Sequence, residues 1–234
     1  MDRRTIISLV IENNSVYKTI QFMPKIYCGD PSNVCSVYSD LGVEEILIIN
    51  KDANNKGINF DLLERIIADC FVPMTYCGGV KSFDDFSKLI NLGYDRVGFG
   101  IEDGRCDYAL VKKVIKAFGV QSIAALLSYE EINGKRVTWT NTIPQEINTL
   151  INDTELDYFS EIIVQCVNRD GLRSGIDKEV LDVLGIGRHN IILAGGARSF
   201  TEVKDIKNSL DVSIAVSSIA TLYKNKGVLL QWES

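Results

Sequence analysis

Two heptapeptides of this chain follow one pattern, Cys77-Gly78-Gly79-Val80-Lys81-Ser82-Phe83 and Ala194-Gly195-Gly196-Ala197-Arg198-Ser199-Phe200. Corresponding residues lie 117 positions apart in a chain of 234 residues, so the pattern occurs once in each half. A second pair of segments, Glu45-Ile46-Leu47-Ile48-Ile49 and Glu161-Ile162-Ile163-Val164, also occurs once in each half. Repetition at a fixed separation indicates a duplicated structural unit.

Eight short apolar runs of strand length alternate along the chain with amphipathic segments of helical spacing. The runs are Thr5–Ile11, Glu45–Ile49, Val72–Tyr76, Asp95–Phe99, Ser122–Leu127, Glu161–Val167, Asn190–Ala194 and Val212–Val216. The helical segments include Asn33–Leu41, Phe60–Cys70, Phe83–Leu92, Tyr108–Phe118, Lys178–Leu184 and Phe200–Ser209. Near-continuous apolar strands separated by helices indicate a parallel sheet that is covered by helices.

Eight such units with a two-fold repeat predict an α/β fold of the (βα)8 TIM-barrel type. A doubly wound open sheet is the alternative. No linker composition interrupts the pattern, so we expect one barrel domain over residues 1–234, with half-barrels of about 1–117 and 118–234. The polar stretch Ser128–Thr142, with the turn signal Asn133-Gly134, is expected to be a long loop after the fifth strand.

The composition of the chain limits the kinds of molecule that we expect it to bind. The chain is 46% hydrophobic and 24% charged with a net charge of -6, which argues against a nucleic-acid or membrane surface. It has no apolar run long enough to cross a membrane, and we expect a cytoplasmic location. Six scattered cysteines without a C-x-x-C pair and a single histidine imply no metal and no cofactor, and we expect reduced thiols.

The duplicated loops are candidate phosphate sites, because a Gly-Gly pair lets backbone N–H groups approach an anion closely. The alternative is that each is only a tight strand-to-helix turn. The second loop has further donors nearby, whereas the comparable neighbour of the first, Gly98-Phe99-Gly100-Ile101, offers no side-chain donor. The candidate phosphate-binding residues are Gly78, Gly79, Asp170, Gly171, Gly195, Gly196, Ser217 and Ser218.

Taken together, the motifs resemble those of the cyclase subunit of imidazole glycerol phosphate synthase, the HisF family. The resemblance covers nearly the whole chain and rests on Gly29-Asp30-Pro31, Tyr38-Ser39-Asp40-Leu41-Gly42, Cys77-Gly78-Gly79-Val80, Arg169-Asp170-Gly171, Ser174-Gly175 and Ala194-Gly195-Gly196-Ala197. It implies a two-fold symmetric barrel and a lyase and cyclisation activity on a substrate with a phosphate at each end. It also implies a heterodimer with a HisH-like glutaminase, whose ammonia enters the barrel from its amino-terminal face.

The resemblance places the family's two catalytic aspartates at positions that carry other residues here. Val10 occupies the first and Ser128 the second. Valine transfers no proton, and serine is a poor base without a neighbouring base, so the cyclase reaction of histidine biosynthesis is expected to be lost. Asp52 is the most plausible remaining carboxylate and Lys18 a possible anion contact. Asn50 and Lys51 would flank the substrate mouth with them.

The resemblance also implies a charged ammonia gate and a partner face at the opposite end of the barrel. The matching gate residues are Arg4, Glu45, Arg96 and Glu161, and Asp95 matches a residue that meets the glutaminase. A merely solvated ring of charges is the alternative, but isolated surface charges vary at little energetic cost.

Retained docking with lost chemistry fits the divergent second copies of this cyclase in surface-polysaccharide pathways, which carry an aliphatic residue where Val10 lies. Those relatives are associated with glycosyl amidation. The leading hypothesis is therefore a synthase subunit that delivers ammonia to a nucleotide-linked, phosphate-bearing sugar. The alternatives are a true cyclase of histidine biosynthesis and a non-catalytic protein that only docks a glutaminase.

Overall fold

The computed structural model describes residues 3–21, 23, 25–101, 106–140, 143–150, 153–185 and 189–220. Within them the strands are β1 (Thr5–Glu12), β2 (Ser15–Thr19), β3 (Lys25–Gly29), β4 (Glu45–Asn50), β5 (Met74–Cys77), β6 (Arg96–Gly100), β7 (Ile123–Ile132), β8 (Lys135–Thr140), β9 (Ile143–Glu146), β10 (Glu161–Cys166), β11 (Ile191–Ala194) and β12 (Val212–Val216). The helices are α1 (Pro31–Asp40), α2 (Ala53–Lys56), α3 (Phe60–Ala68), α4 (Phe83–Leu92), α5 (Tyr108–Phe118), α6 (Ile147–Leu150), α7 (Asp153–Leu156), α8 (Val180–Leu184) and α9 (Phe200–Ser209).

Eight of the strands form a closed parallel barrel. The order is β1, β4, β5, β6, β7, β10, β11 and β12, and β12 pairs with β1 to close the ring. The sequence prediction of a (βα)8 barrel is confirmed, and each of the eight predicted runs overlaps one barrel strand. The open-sheet alternative is wrong because the first and last strands are hydrogen-bonded to each other.

Residues of each barrel strand alternate between the helical layer and the barrel interior, as the pleat of a strand requires. Ile7 and Ile46 pack in the large outer core with helix residues such as Leu63. The inner cluster consists of Ile6, Leu47, Cys77, Ala124, Ile163, Ile192, Ala194 and Ala215. The inward-facing side chains of the strands therefore make the barrel axis largely apolar.

Two corresponding helices begin in the same way after the duplicated loops. The hydroxyl of Ser82 accepts the backbone N–H of Asp85 at the start of α4, and the hydroxyl of Ser199 accepts that of Glu202 at the start of α9. In both, the acidic side chain also accepts the backbone N–H of the residue before the serine. The serine and the acid together satisfy N–H groups that the first helical turn leaves unpaired.

The stretch after the fifth barrel strand differs from the predicted loop. Glu130–Ile132 pairs with Lys135–Val137 in an antiparallel hairpin, and β9 adds a third strand. The predicted turn at Asn133-Gly134 is confirmed, since both residues have positive φ. The prediction of a long loop is wrong over the described residues, which form strands, and Asn141 and Thr142 lie outside them.

A second hairpin follows the first barrel strand, where β2 pairs with both β1 and β3. The hairpin lies at the carboxyl ends of the strands, which we call the mouth; the opposite end is the base. None of the helices in the described part of the chain is long and apolar enough to cross a membrane.

Candidate functional site

The first glycine of each duplicated loop packs against the preceding barrel strand. A Cβ atom on Gly78 would lie 2.5 Å from the carbonyl oxygen of Asn50, and one on Gly195 would lie 2.3 Å from that of Cys166. Both glycines have positive φ, 139° and 94°. A side chain would therefore clash with backbone and strain the residue at either position.

The second glycine of each loop is equally confined. A Cβ on Gly79 would lie 2.6 Å from backbone atoms of Ala53, and one on Gly196 would lie 2.4 Å from the carbonyl oxygen of Gly175. The tight-turn explanation thus accounts for both glycine pairs without a ligand. Whether a loop can also hold an anion depends on what surrounds it.

The second loop borders a small cavity with about 300 Å³ of empty space. Among the lining residues that can donate hydrogen bonds are Gly195 and Gly196 through their backbone and Ser217 and Ser218 through their hydroxyls. Its remaining lining residues are Ser8, Gln165, Asp170, Gly171, Ala194, Ala197, Ala215 and Val216. The predicted second phosphate site is thus brought together in one place, with donors that carry no charge.

The first loop borders a larger, open cavity with about 1750 Å³ of empty space. Its polar lining includes Asn50, Lys51, Asn54, Asn55, Lys81, Asp107, Ser128 and Gln165. Gly78 and Gly79 also line it. The buried side chain of Gln165 borders both cavities and joins the two parts of the mouth.

Asp170 connects the hairpin of β2 and β3 to the loop that follows β10. Its carboxylate accepts the Thr19 hydroxyl at 2.6 Å, and its carbonyl oxygen accepts the Gln21 N–H at 2.8 Å. A Cβ on Gly171 would lie 2.1 Å from the carbonyl oxygen of Thr19. Asp170 and Gly171 therefore hold the hairpin against the mouth, in addition to lining the smaller cavity.

The hairpin of β7 and β8 is connected to the same loop. The side-chain amide of Asn168 accepts the backbone N–H of Glu131 at 3.1 Å and donates to its carbonyl oxygen at 2.7 Å. The Arg169 guanidinium donates to the Glu131 carboxylate, with Nε at 3.0 Å. These contacts fix the position of the hairpin beside the mouth.

Asp177 provides the most buried ionic contact of this hairpin. It accepts two hydrogen bonds from the Arg136 guanidinium, at 2.6 and 2.7 Å, and one from the Tyr129 hydroxyl at 2.8 Å. Burial alone would raise the pKa of Asp177, but the hydrogen bonds from Arg136 and Tyr129 outweigh burial and the pKa is lowered. Burial raises the pKa of Tyr129, so its hydroxyl remains a donor.

The predicted catalytic positions are only partly brought together. Ser128 lines the larger cavity, whereas Val10 is buried between Tyr17 and Ile49 and lines neither cavity. Asp52 also lines neither cavity. Its carboxylate accepts the backbone N–H of Asn13, in the turn between β1 and β2, and lies 3.3 Å from the ammonium of Lys56, in α2.

Lys18 and Lys51 have different surroundings. Lys18 lies on β2, opposite Ile26, and lines neither cavity. Lys51 lines the larger cavity and its ammonium lies 3.7 Å from the Glu12 carboxylate. Asn50 beside it donates to the Tyr76 hydroxyl at 3.2 Å. Of the predicted substrate-mouth residues, Asn50 and Lys51 therefore border the larger cavity directly.

At the base, the four predicted gate residues form one closed ring, which we call the charged ring. Arg4 contacts both Glu45 and Glu161. Arg96 lies 3.5 Å from Glu45 and 3.2 Å from Glu161. The two carboxylates are almost fully buried, at 0% and 2% exposure, whereas the arginine side chains are 19% and 20% exposed. Each residue lies at or just before the first residue of a barrel strand.

Burial raises the pKa of Glu45, although Arg4, Arg96 and the Thr75 hydroxyl act in the opposite direction. Thr75 donates to Glu45 at 2.8 Å. Asp95 lies beside the ring on the outer surface, where its carboxylate accepts the Met74 N–H at 2.9 Å. Asp95 therefore accepts the N–H at the start of β5 and is also exposed at the base.

The space between the charged ring and the mouth is occupied by the inner apolar cluster. Ile6, Leu47, Ile163 and Ile192 are each at most 2% exposed. A molecule that travels along the axis must therefore displace apolar side chains. Moving an uncharged molecule into that apolar environment costs far less free energy than moving an ion.

Comparison with known proteins identifies the family. The family model described as "Histidine biosynthesis protein" matches residues 6–226. The chain belongs to this family. A protein of Pseudomonas aeruginosa, named "Putative imidazole glycerol phosphate synthase subunit hisF2", is 26% identical over 98% of this chain and 95% of its own length. The imidazole glycerol phosphate synthase subunit HisF of Helicobacter hepaticus is 27% identical over 92% of this chain and 88% of its own.

The resemblance to the HisF family is confirmed, and the low identity makes this chain a divergent member. Sequence reasoning missed Gln165, although a polar residue at an inward position of the apolar strand β10 was a usable signal. It also missed the pairing of Arg136 with Asp177, which no local pattern indicates. The six cysteines are free thiols, as expected. In the described part of the chain, no three histidine, cysteine, aspartate or glutamate side chains are grouped to hold a metal ion.

Proposed function

We propose that this chain is the barrel subunit of a glutamine-dependent synthase. A HisH-like glutaminase docks as a heterodimer on the base, ammonia passes the charged ring, and the mouth holds a phosphate-bearing acceptor. The acceptor is a nucleotide-linked sugar, which is amidated in the cytoplasm for surface polysaccharide. No nucleic acid and no membrane takes part.

One observation carries the proposal: four charged residues meet in a closed ring at the base, with two carboxylates almost fully buried. Burying charges costs free energy, and apolar residues of similar volume often stabilise a core equally well or better. A role in function explains the ring better than stability does. Exposed Asp95 and the ring together supply a charged surface on which a partner can dock.

The mouth supports the acceptor part of the proposal. The smaller cavity combines backbone donors with Ser217 and Ser218, which suits a phosphate group. Neither Val10 nor Ser128 can replace a positioned carboxylic acid, and the Asp52 carboxylate already contacts Asn13 and Lys56. Loss of one positioned acid or base typically costs about 10²–10⁴ in rate. This favours ammonia delivery over the cyclase reaction of histidine biosynthesis.

The test reconstitutes the complex with its HisH-like glutaminase and a separate amidotransferase-like protein, and supplies glutamine, ATP and nucleotide-linked acetamido sugars. ATP activates the acetamido oxygen as a leaving group, so that ammonia can replace it. Glutamate is measured enzymatically and amidated sugar by mass spectrometry. In Arg4→Ala, we expect glutamine hydrolysis to continue while the amidated sugar formed per glutamate falls. Arg4→Lys should recover part of this ratio. Arg3→Ala is the matched control, because Arg3 pairs with Asp211 on the surface and lies outside the ring.

Circular dichroism and complex formation are checked for each variant, so that misfolding is separated from uncoupling. An unchanged ratio in a folded Arg4→Ala complex would contradict the gate. Absence of amidation with every acceptor, while glutamine hydrolysis is stimulated, would favour the non-catalytic docking protein. Growth of a strain that lacks the histidine cyclase, when it carries this chain, would favour the cyclase.

A further inference from the structure

The two duplicated loops share a sequence pattern and positive φ at both glycines, but they have different neighbours. The side-chain oxygen of Asn54 accepts the N–H of Gly79 at 3.1 Å. It thus takes the place that an anion oxygen would take in a glycine cradle. In the described part of the chain, no side chain accepts the N–H of Gly196, the corresponding residue of the second loop. The first cradle is therefore filled by the protein itself.

The loops after β6 and β12 also differ. Ser217 and Ser218 correspond to Gly100 and Ile101 at the same separation of 117 residues. The two serines line the smaller cavity with hydroxyl groups. Gly100 lines the larger cavity and has no side chain to donate. The second half of the mouth thus has hydroxyl donors at two positions whose counterparts in the first half have no hydroxyl.

The charged groups that border the larger cavity each contact the protein itself. The Lys81 ammonium donates to the carbonyl oxygen of Asn54 at 2.8 Å, and the Lys51 ammonium lies 3.7 Å from Glu12. The carboxylate of Asp107 borders the same space, where it accepts N–H groups at the start of α5. The Asp170 carboxylate borders the smaller cavity in the same way, so carboxylates do not distinguish the two cavities, whereas the hydroxyl groups of Ser217 and Ser218 do.

Size and lining together indicate what the larger cavity takes instead. It is the larger of the two cavities. The polar residues Asn50, Asn55, Ser128 and Gln165 border it together with the apolar residues Val80 and Leu126. Such a mixture suits the hydroxyl groups and ring face of a carbohydrate.

We propose that the mouth binds a single phosphate group, in the smaller cavity, and that the larger cavity takes an uncharged, hydroxyl-rich part of the same substrate. This rests on the proposed function for the statement that the mouth holds the acceptor. It differs from the substrate implied by the family resemblance, which carries a phosphate at each end. The two halves of the duplicated barrel then recognise two chemically different groups.

Titration calorimetry with inorganic phosphate tests the number of anion sites on the isolated chain. We expect one phosphate per chain in the wild type. Ser217→Asp places a negative charge at the smaller cavity and should weaken phosphate binding by about tenfold or more. Gly100→Asp is the matched change in the other half and should leave phosphate affinity unchanged. Circular dichroism confirms that both variants are folded.

A second titration compares glucose 1-phosphate with glucose 1,6-bisphosphate. We expect the monophosphate to bind more tightly than inorganic phosphate, and the bisphosphate to bind no more tightly than the monophosphate. Two phosphates per chain, tighter binding of the bisphosphate, weaker binding in Gly100→Asp, or no phosphate binding would each overturn the proposal. None of these results depends on a glutaminase. Failure of ammonia delivery with one phosphate bound would therefore refute only the proposed function.

Discussion

Glu45 at the base and Asp177 at the mouth are both buried carboxylates beside arginine, yet their pKa values move in opposite directions. Burial raises the pKa of Glu45. Burial also opposes ionisation of Asp177, but its hydrogen bonds outweigh it and the pKa is lowered. Burial is the main cause at Glu45, and the sharing of its arginines with Glu161 adds to it.

Asp177 receives two hydrogen bonds from Arg136 and a third from Tyr129. Glu45 shares Arg4 and Arg96 with a second buried carboxylate, Glu161, which raises its pKa further. A bidentate pair is a strong, fixed contact, whereas in the charged ring two buried carboxylates share two arginines. The mouth pair is therefore suited to hold a hairpin in place, and the ring is suited to a contact that must rearrange.

The mouth pair should give the largest loss of stability when one partner is removed. Arg136→Met leaves the buried Asp177 carboxylate without its bidentate partner, and we expect a loss of about 3–5 kcal/mol in the free energy of unfolding. Chemical denaturation measures it. Lys135→Met is the matched control, because the neighbouring Lys135 pairs with Glu146 on the surface and should change stability little. Equal losses in the two variants would contradict a special role for the Arg136 contact.

A smaller loss is expected at the base. In Arg96→Met, Glu45 and Glu161 keep Arg4, and Glu45 also keeps the Thr75 hydroxyl. We expect a loss of about 3 kcal/mol, at the low end for a buried pair, measured by the same denaturation. Arg3→Met should change stability little, since its pair with Asp211 is exposed. If Arg96→Met costs more than Arg136→Met, the ring is the more rigid of the two regions and the comparison fails.

The barrel was predictable from the strand pattern and the charged ring from the family resemblance, and strand position explains why the ring residues share one end. Strand-length apolar runs recur eight times, and parallel strands that begin with Glu45, Arg96 and Glu161 place these residues at the same end. Val10 and Ser128 are likewise near the carboxyl ends of the first and fifth barrel strands. A duplicated sequence therefore fixes which residues share an end of the barrel.

The hairpin after the fifth strand and the unequal cavities were not predictable. The stretch Ser128–Thr142 has the composition of a loop, and part of it is held as strands by contacts such as Arg136 with Asp177, 41 residues apart. The filling of the first glycine loop depends on one side chain, that of Asn54, whose direction no periodicity specifies. Long-range contacts and single rotamers decide these features.

The smallest effect is a difference in pH dependence, and it tests the opposite pKa shifts directly. A raised carboxylate pKa stabilises the folded state below the unfolded value of about 4.3 for glutamate, and this contribution is lost as the pH rises through the folded pKa. Wild type should therefore lose stability relative to Glu45→Gln as the pH rises. Stability is measured by denaturation at several pH values above 4, and the exposed Glu64→Gln serves as control.

Asp177→Asn should give the opposite sign. A lowered pKa contributes stability above the unfolded value of about 3.9 for aspartate, and the contribution is lost as the pH falls through the folded pKa. As the pH falls, the stability of wild type should therefore drop toward that of Asp177→Asn. The stability difference between wild type and Glu45→Gln should show no such drop. If stability relative to wild type changes with pH in the same direction for both variants, the comparison between base and mouth fails. Changes in opposite directions would support a rearrangeable contact in the charged ring.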